Sequence, residues 1–259
     1  MSQRPWIDGL PTRLRIGERL GGGATSTVWR ARDLLTGADV VVKVIDTAHA
    51  AGRLEREARA LARLRDVPGI VVVHELGRSA DGTGWIVADL APGGSLRDRI
   101  GDGDTPLPLD GTAARRVTAV LAAALDSAHA RHVVHGDVSP ANVLFDRDDA
   151  ALLADFGSAD LDGTSDPVRQ GLTPAYAAPE RRRGAAASSA GDVYSLAATV
   201  SAACDEPDGD LAALLAACLV EHPGRRLTAA QVVAALAGPS DGPAPGARRW
   251  PVRGRPPRR

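Results

Sequence analysis

The chain contains one lysine, Lys43, and one asparagine, Asn142; every other cation among its 31 Lys+Arg is arginine. A composition this rich in Ala, Gly and Arg is what drift toward G and C in the coding DNA leaves behind, and such drift strips out Lys and Asn. The two survivors therefore mark positions where an ammonium and a carboxamide are needed. Lys43 lies in the apolar run Val40-Val41-Val42-Lys43-Val44-Ile45, and Asn142 closes the segment His135-Gly136-Asp137-Val138-Ser139-Pro140-Ala141-Asn142. In that segment an aspartate able to orient a hydroxyl proton precedes an amide able to hold magnesium, and both hang from one loop. Asp155-Phe156-Gly157 follows the apolar stretch 151–154, and its carboxylate would hold the same ion against phosphates. The glycines of Leu20-Gly21-Gly22-Gly23-Ala24-Thr25-Ser26-Thr27-Val28 let backbone amides approach phosphate oxygens.

These residues need elements to hold them. From Leu14 to Leu90 the pattern is strand-like, with β-branched runs at 40–45, 70–73 and 86–87 and turn signals at Thr36-Gly37 and Asp81-Gly82. One helix, about 50–64, interrupts the strands, with Leu54, Ala58 and Leu61 on its apolar face. That helix offers two carboxylates to the lysine. At about 100° per residue Glu57 lies about 40° from Leu61, on the core side, whereas Glu55 faces solvent. After Gly93-Gly94 the pattern becomes helical: about 112–130, 189–204, 210–220 and 228–237, the last with Thr228 as N-cap and Gly238 as stop. Strands followed by helices imply an α+β chain. We read residues 1–11 as an arm, 12–237 as one domain, and 238–259, rich in Pro, Gly and Arg, as a disordered tail.

The 259 residues carry a net charge of −1, which gives no global field for nucleic acid or membrane. No apolar run approaches the ~20 residues that span a bilayer, and Met1–Pro5 lacks a signal-peptide core, so the expected address is the cytoplasm. Cys204 and Cys218 fall in predicted helices; neither a disulfide nor a zinc site is expected of them. Six arginines of the tail, Arg248, Arg249, Arg253, Arg255, Arg258 and Arg259, suit a solvated end or an acidic partner.

In order and spacing these motifs resemble the eukaryotic-type protein kinases, in their bacterial serine/threonine version, from about Thr12 to Leu236. The resemblance implies a two-lobed fold, with a β-rich N-lobe over about 12–90 and a helical C-lobe over about 91–237. It implies ATP and Mg2+ as cofactors and protein hydroxyls as acceptors. Leu20, Gly21, Gly22, Gly23 and Val28 then form the glycine-rich loop, with Ser26 where a third glycine often sits. Lys43 grips the α- and β-phosphates, and Glu57 is its partner. Asp137 is the catalytic aspartate; Asn142 and Asp155 are the metal ligands. Ala88 takes the gatekeeper position, and the Asp89 to Ala91 backbone binds adenine. Leu61, Phe156 and His135 belong to the apolar spine that aligns the lobes, anchored by Asp192.

Four features depart from the family's pattern. Gly136 replaces the arginine that reads an activation-loop phosphate, so no such requirement is expected. Ser139 replaces the lysine that touches the γ-phosphate; it is carried as a catalytic candidate, as in the RIO-type and small-molecule phosphotransferases that share the His-Gly-Asp signature. The segment 155–180 is short. The link 205–209 leaves no place for the substrate-docking helix αG. A pseudokinase and a small-molecule kinase are therefore the alternatives to an active protein kinase. Thr164, Ser165 and Thr173 are candidate self-phosphorylation sites, and Glu180 with Arg226 is expected as a structural pair.

Overall fold

The computed structural model describes residues 9–23, 25–101, 108–161 and 172–238. The tail from 239, most of the N-terminal arm, Ala24, Thr164 and Ser165 lie outside them. The first half is an antiparallel sheet in the order β1-β2-β3-β5-β4: β1 (Leu14–Gly22), β2 (Ser26–Asp33), β3 (Asp39–Ile45), β4 (Val73–Arg78) and β5 (Gly84–Asp89). Alternation along β3 divides its residues between two faces. Val40 and Val42 pack with Leu14, Ala31, Trp85 and Val87. Ile45, of opposite parity, packs with Ile86 and with Leu54 of helix α1 (Thr47–Arg63). Lys43 shares the parity of Ile45, so it points toward α1 and the interlobe cleft rather than into the outer core. Its register partners Val28 and Ile86, and the pair Val41 and Ala88, share that face.

Helix α1 starts three residues before the sequence-based boundary. The β-branched run 70–73 is not a strand over its length. Leu153 N–H donates to Gly69 O and Val71 N–H to Leu153 O, so this stretch is bonded to the C-lobe; β4 begins only at Val73. Ile70 and Val71 are buried at the junction between lobes, while Val72 is 55 % exposed, so the β-branched run does not mark a strand.

The C-lobe is built on α3 (Gly111–His129), capped by Asp110 and packed against α5 (Ser189–Ala203) and α7 (Ala229–Leu236). Thr228 caps α7 through a capping box with Gln231, as the sequence indicates. Short pieces complete the lobe: α2 (Leu96–Ile100), β6 (Val133–Val134), β7 (Val143–Phe145), β8 (Ala151–Leu153), β9 (Asp160–Leu161), α4 (Pro179–Arg182) and α6 (Gly209–Cys218). All but α6, which the sequence places at about 210–220, are too short for periodicity to register. Cys204 and Cys218 are buried free thiols, and burial pushes Cys218 up to about 11. The two-lobed α+β architecture is the one expected.

Candidate active site

Asp192, in the first turn of α5, is the anchor. It is 2 % exposed, and such burial of a carboxylate is tolerable only with donors around it. It has three. His135 N–H donates to Oδ2 and Gly136 N–H to Oδ1, both at 2.8 Å, and His129 Nε2 lies 2.9 Å from Oδ2. The loop after β6 is thereby fixed from beneath. The His135 ring sits edge-on to Phe156 at 4.7 Å, with Nε2 3.0 Å from Ala154 O, so this loop and the Asp155 loop are locked together.

On that base Asn142 Nδ2 donates to Asp137 O at 2.8 Å and to Asp137 Oδ2 at 3.3 Å. The amide nitrogen is spent inside the loop, which leaves the amide oxygen, the atom a hard cation takes. Thr173 N–H donates to Asp137 Oδ1 at 2.8 Å, and its hydroxyl also bonds that carboxylate. Burial pushes the Asp137 carboxyl up, against the Thr173 hydrogen bonds, with the nearby Asp155 charge acting in the same direction as burial. Asp155 has a left-handed backbone, φ 65° and ψ 74°, and its Oδ1 accepts from Gly157 N–H at 3.2 Å. The Lys43 ammonium reaches across from β3 to the same oxygen at 2.6 Å, a half-buried ion pair between the two lobes.

Glu57 is 3 % exposed, on the α1 face shared with Leu54 and Ala60. Glu55 is exposed and pairs with Arg59 at 2.6 Å, so the helical-wheel choice between the two agrees with their burial. In the glycine-rich loop Gly22 is the sterically required residue. Its φ is 150°, and a Cβ there would meet Ser26 O at 2.5 Å. Cβ atoms at Gly21 and Gly23 would meet nothing within 4 Å, which leaves open space over the hairpin. Leu20 is 46 % exposed at its edge, and Val28 is half-buried. Ala88 is buried at the end of β5. The Asp89 carboxylate is exposed and lies 2.7 Å from His74 Nε2.

Ser139 does not join this group. It is wholly buried, and its hydroxyl has no hydrogen-bond partner, so it offers no surface to a phosphate. Its candidacy as a catalytic residue is corrected on that ground: Val138, Ser139 and Pro140 form the buried floor of the loop. Two residues that motif reading passed over, and a third that it read differently, stand beside these motifs in the chain or the fold. Val41 lies on the cleft face of β3, and Leu144, in β7, stands two positions after Asn142. Thr173 holds the catalytic-loop carboxylate, whereas the sequence suggests only a self-phosphorylation site. The i, i+2 spacing was a usable signal for the first two.

The site fits a magnesium-bound polyphosphate. Among the described residues no group of three or more His, Cys, Asp or Glu is gathered to hold a metal. Asp155 and Asn142 supply two hard oxygens, a set that suits Mg2+, which takes its remaining ligands from phosphates and water. The open space above Gly21 and Gly23 and the ammonium of Lys43 would offer such phosphates backbone amides and a cation.

A family model described as the protein kinase domain matches residues 14–207. The chain belongs to the protein kinase domain family. It is 41 % identical over 186 residues to CBL-interacting protein kinase 4 of Oryza sativa subsp. japonica, covering 66 % of this chain and 40 % of that protein. It is 37 % identical over 210 residues to the DNA damage-responsive serine/threonine-protein kinase RqkA of Deinococcus radiodurans, covering 76 % and 30 %. To serine/threonine-protein kinase PknB of Mycobacterium leprae the identity is 34 % over 199 residues, covering 72 % and 31 %. The matched part of the chain thus spans less than half the length of these relatives. Glu180 and Arg226 form the anticipated pair. Arg226, with its side chain fully buried, donates to both Glu180 oxygens at 2.6 and 2.7 Å, and to the carbonyls of Val220, Ala190 and Glu221.

Proposed function

We propose that the chain transfers the γ-phosphoryl group of ATP, with Mg2+, to serine and threonine hydroxyls of proteins, and that the domain responsible covers residues 12–237. The observation that carries this reading is the Lys43–Asp155 ion pair across the cleft, above a loop that presents Asp137 and Asn142 together. Bound Mg2+ supplies charge neutralisation at the transferring phosphate. Asp155 and the Asn142 oxygen would hold it. Lys43, freed to share its charge between Asp155 and phosphate oxygens, would fix the nucleotide with Glu57 behind it. The amides of Gly21 to Gly23 would cover the phosphates, and Leu20, Val28, Val41, Ala88, Ala91 and Leu144 would enclose the base. Asp137 orients the acceptor hydroxyl and takes its proton. Thr173 steadies that carboxylate in the meantime.

The Gly136 loop needs no phosphate to hold it, because Asp192 already ties its amides. Docking of protein substrates does not use a helix between α5 and α6, since only residues 204–208 separate them. The same reading places the chain in the cytoplasm, beside its ATP; no described helix is long and apolar enough to cross a membrane.

The test is labelled transfer from [γ-32P]ATP and Mg2+ to proteins of a cell extract, wild type against Asp137→Asn. Removal of the base lowers the rate on the order of 10²–10⁴-fold. Equal labelling by both proteins rejects the reading. Label confined to small molecules supports a small-molecule kinase, and nucleotide binding without any transfer supports a pseudokinase.

A further inference from the structure

We propose that Arg56 is a positioning residue that latches helix α1 to the metal-binding loop through one hydrogen bond to Gly157. This inference deepens the phosphotransfer reading and rests on it for its consequence, though not for its geometry. Arg56 stands next to Glu57 on α1, and its Nε lies 3.3 Å from Gly157 O, 101 residues away. The guanidinium is half-buried and packs over Gly52, where a Cβ would come within 3.3 Å of Nη1.

Gly157 is thus held through both of the peptide groups that flank its Cα. Its N–H donates to Asp155 Oδ1, and its C=O accepts from Arg56. Asp155 Oδ1 in turn receives the Lys43 ammonium. A set of contacts runs from α1 through the backbone of Gly157 to the Asp155 carboxylate and on to β3. The N–H and the C=O of Gly157 lie on adjoining peptide planes that meet at its Cα, so a bond on each plane restrains both dihedrals of this glycine, and the Arg56 bond limits the play of the N–H that meets the Asp155 carboxylate. The side chain of an ordinary catalytic-loop arginine would have to find space beside Gly136. That space is closed, because a Cβ at Gly136 would lie 2.8 Å from Ser158 O. With no phosphate reader in the loop, the latch from α1 is a direct route by which helix position sets the geometry of Asp155.

The test compares two variants of equal side-chain length. Arg56→Gln places an amide N–H the same number of bonds from Cα as Nε, whereas Arg56→Met places a methyl there. Amide hydrogen exchange is followed at residues 156–159 of the nucleotide-free protein, and magnesium affinity is measured by calorimetry with the protein saturated by a non-hydrolysable ATP analogue. Arg56→Met is expected to speed exchange and weaken magnesium binding about 3–10-fold, the loss of one hydrogen bond; Arg56→Gln is expected to recover most of both. Arg56→Ala serves as a second donorless variant if Met does not fold. Unchanged exchange in the donorless variants overturns the latch. Equal loosening by Gln and Met also overturns it, because charge or bulk would then be the cause. If wild type itself binds no magnesium with the analogue, the phosphotransfer reading fails while the exchange arm still decides the latch.

Discussion

Arg226→Met is the sharpest test of how the C-lobe holds the segment that carries Glu180. The guanidinium makes five hydrogen bonds with no solvent exposure of its side chain: two to Glu180 and three to backbone carbonyls. Met fills much of the same volume but leaves the Glu180 carboxylate, 19 % exposed, without its cation, and three carbonyls without their donor. Breaking such a pair from one side costs about 3–5 kcal/mol. With a urea slope of about 2 kcal/mol/M, the midpoint should fall by about 1.5–2.5 M. Glu180→Gln should cost less, about 1.5–3 kcal/mol, because the three carbonyls still satisfy Arg226. The pair also sets a pH dependence. Burial alone would raise the Glu180 carboxyl, but the Arg226 hydrogen bonds and charge outweigh it and hold the group below the usual range. A depressed carboxyl stabilises the fold above its unfolded pKa, and that stability is lost as pH falls through the folded value. Urea midpoints measured from pH 7 into the acid range should therefore fall less steeply in Arg226→Met than in wild type. A midpoint for Arg226→Met within about 0.5 M of wild type at pH 7 would refute the reasoning.

Two further outcomes follow from the site. Gly136→Arg, which restores the family's usual residue, should destabilise the domain by about 1–3 kcal/mol from its left-handed backbone alone; thermal melting together with rates before and after phosphatase treatment checks this, and a stable, phosphorylation-dependent variant would contradict it. Thr173→Ala removes a hydrogen bond that lowers the Asp137 carboxyl, so the acid limb of the pH–kcat profile should move to higher pH, while Thr173→Ser keeps it near wild type; a limb that stays or moves to lower pH in Thr173→Ala would count against the assigned contact.

Much of the site was legible in the chain because its chemistry depends on residue type at fixed spacing. Lys43 on a valine-rich strand, Asp137 and Asn142 in one loop, and Asp155 after an apolar stretch carry their meaning locally. So did the orientation of Glu57 against Glu55, since helical angle is a local quantity. Ser139 was misjudged because motif position says which residue type usually stands there and not which way this side chain turns. The run 70–73 misled for a related reason: β-branched residues are buried alike by a sheet or by a lobe junction.

The sequence by itself determined that strands precede helices, that Glu57 rather than Glu55 faces the core, and which acids and amide are the candidates for the site. Only the tertiary structure decided that Thr173 closes on Asp137, that Arg56 reaches Gly157, and that Gly136 has no room for a side chain. Those contacts join residues 36, 101 and 22 positions apart. Their geometry depends on how two lobes pack, and no local pattern of spacing or polarity encodes which distant carbonyl a given side chain will meet.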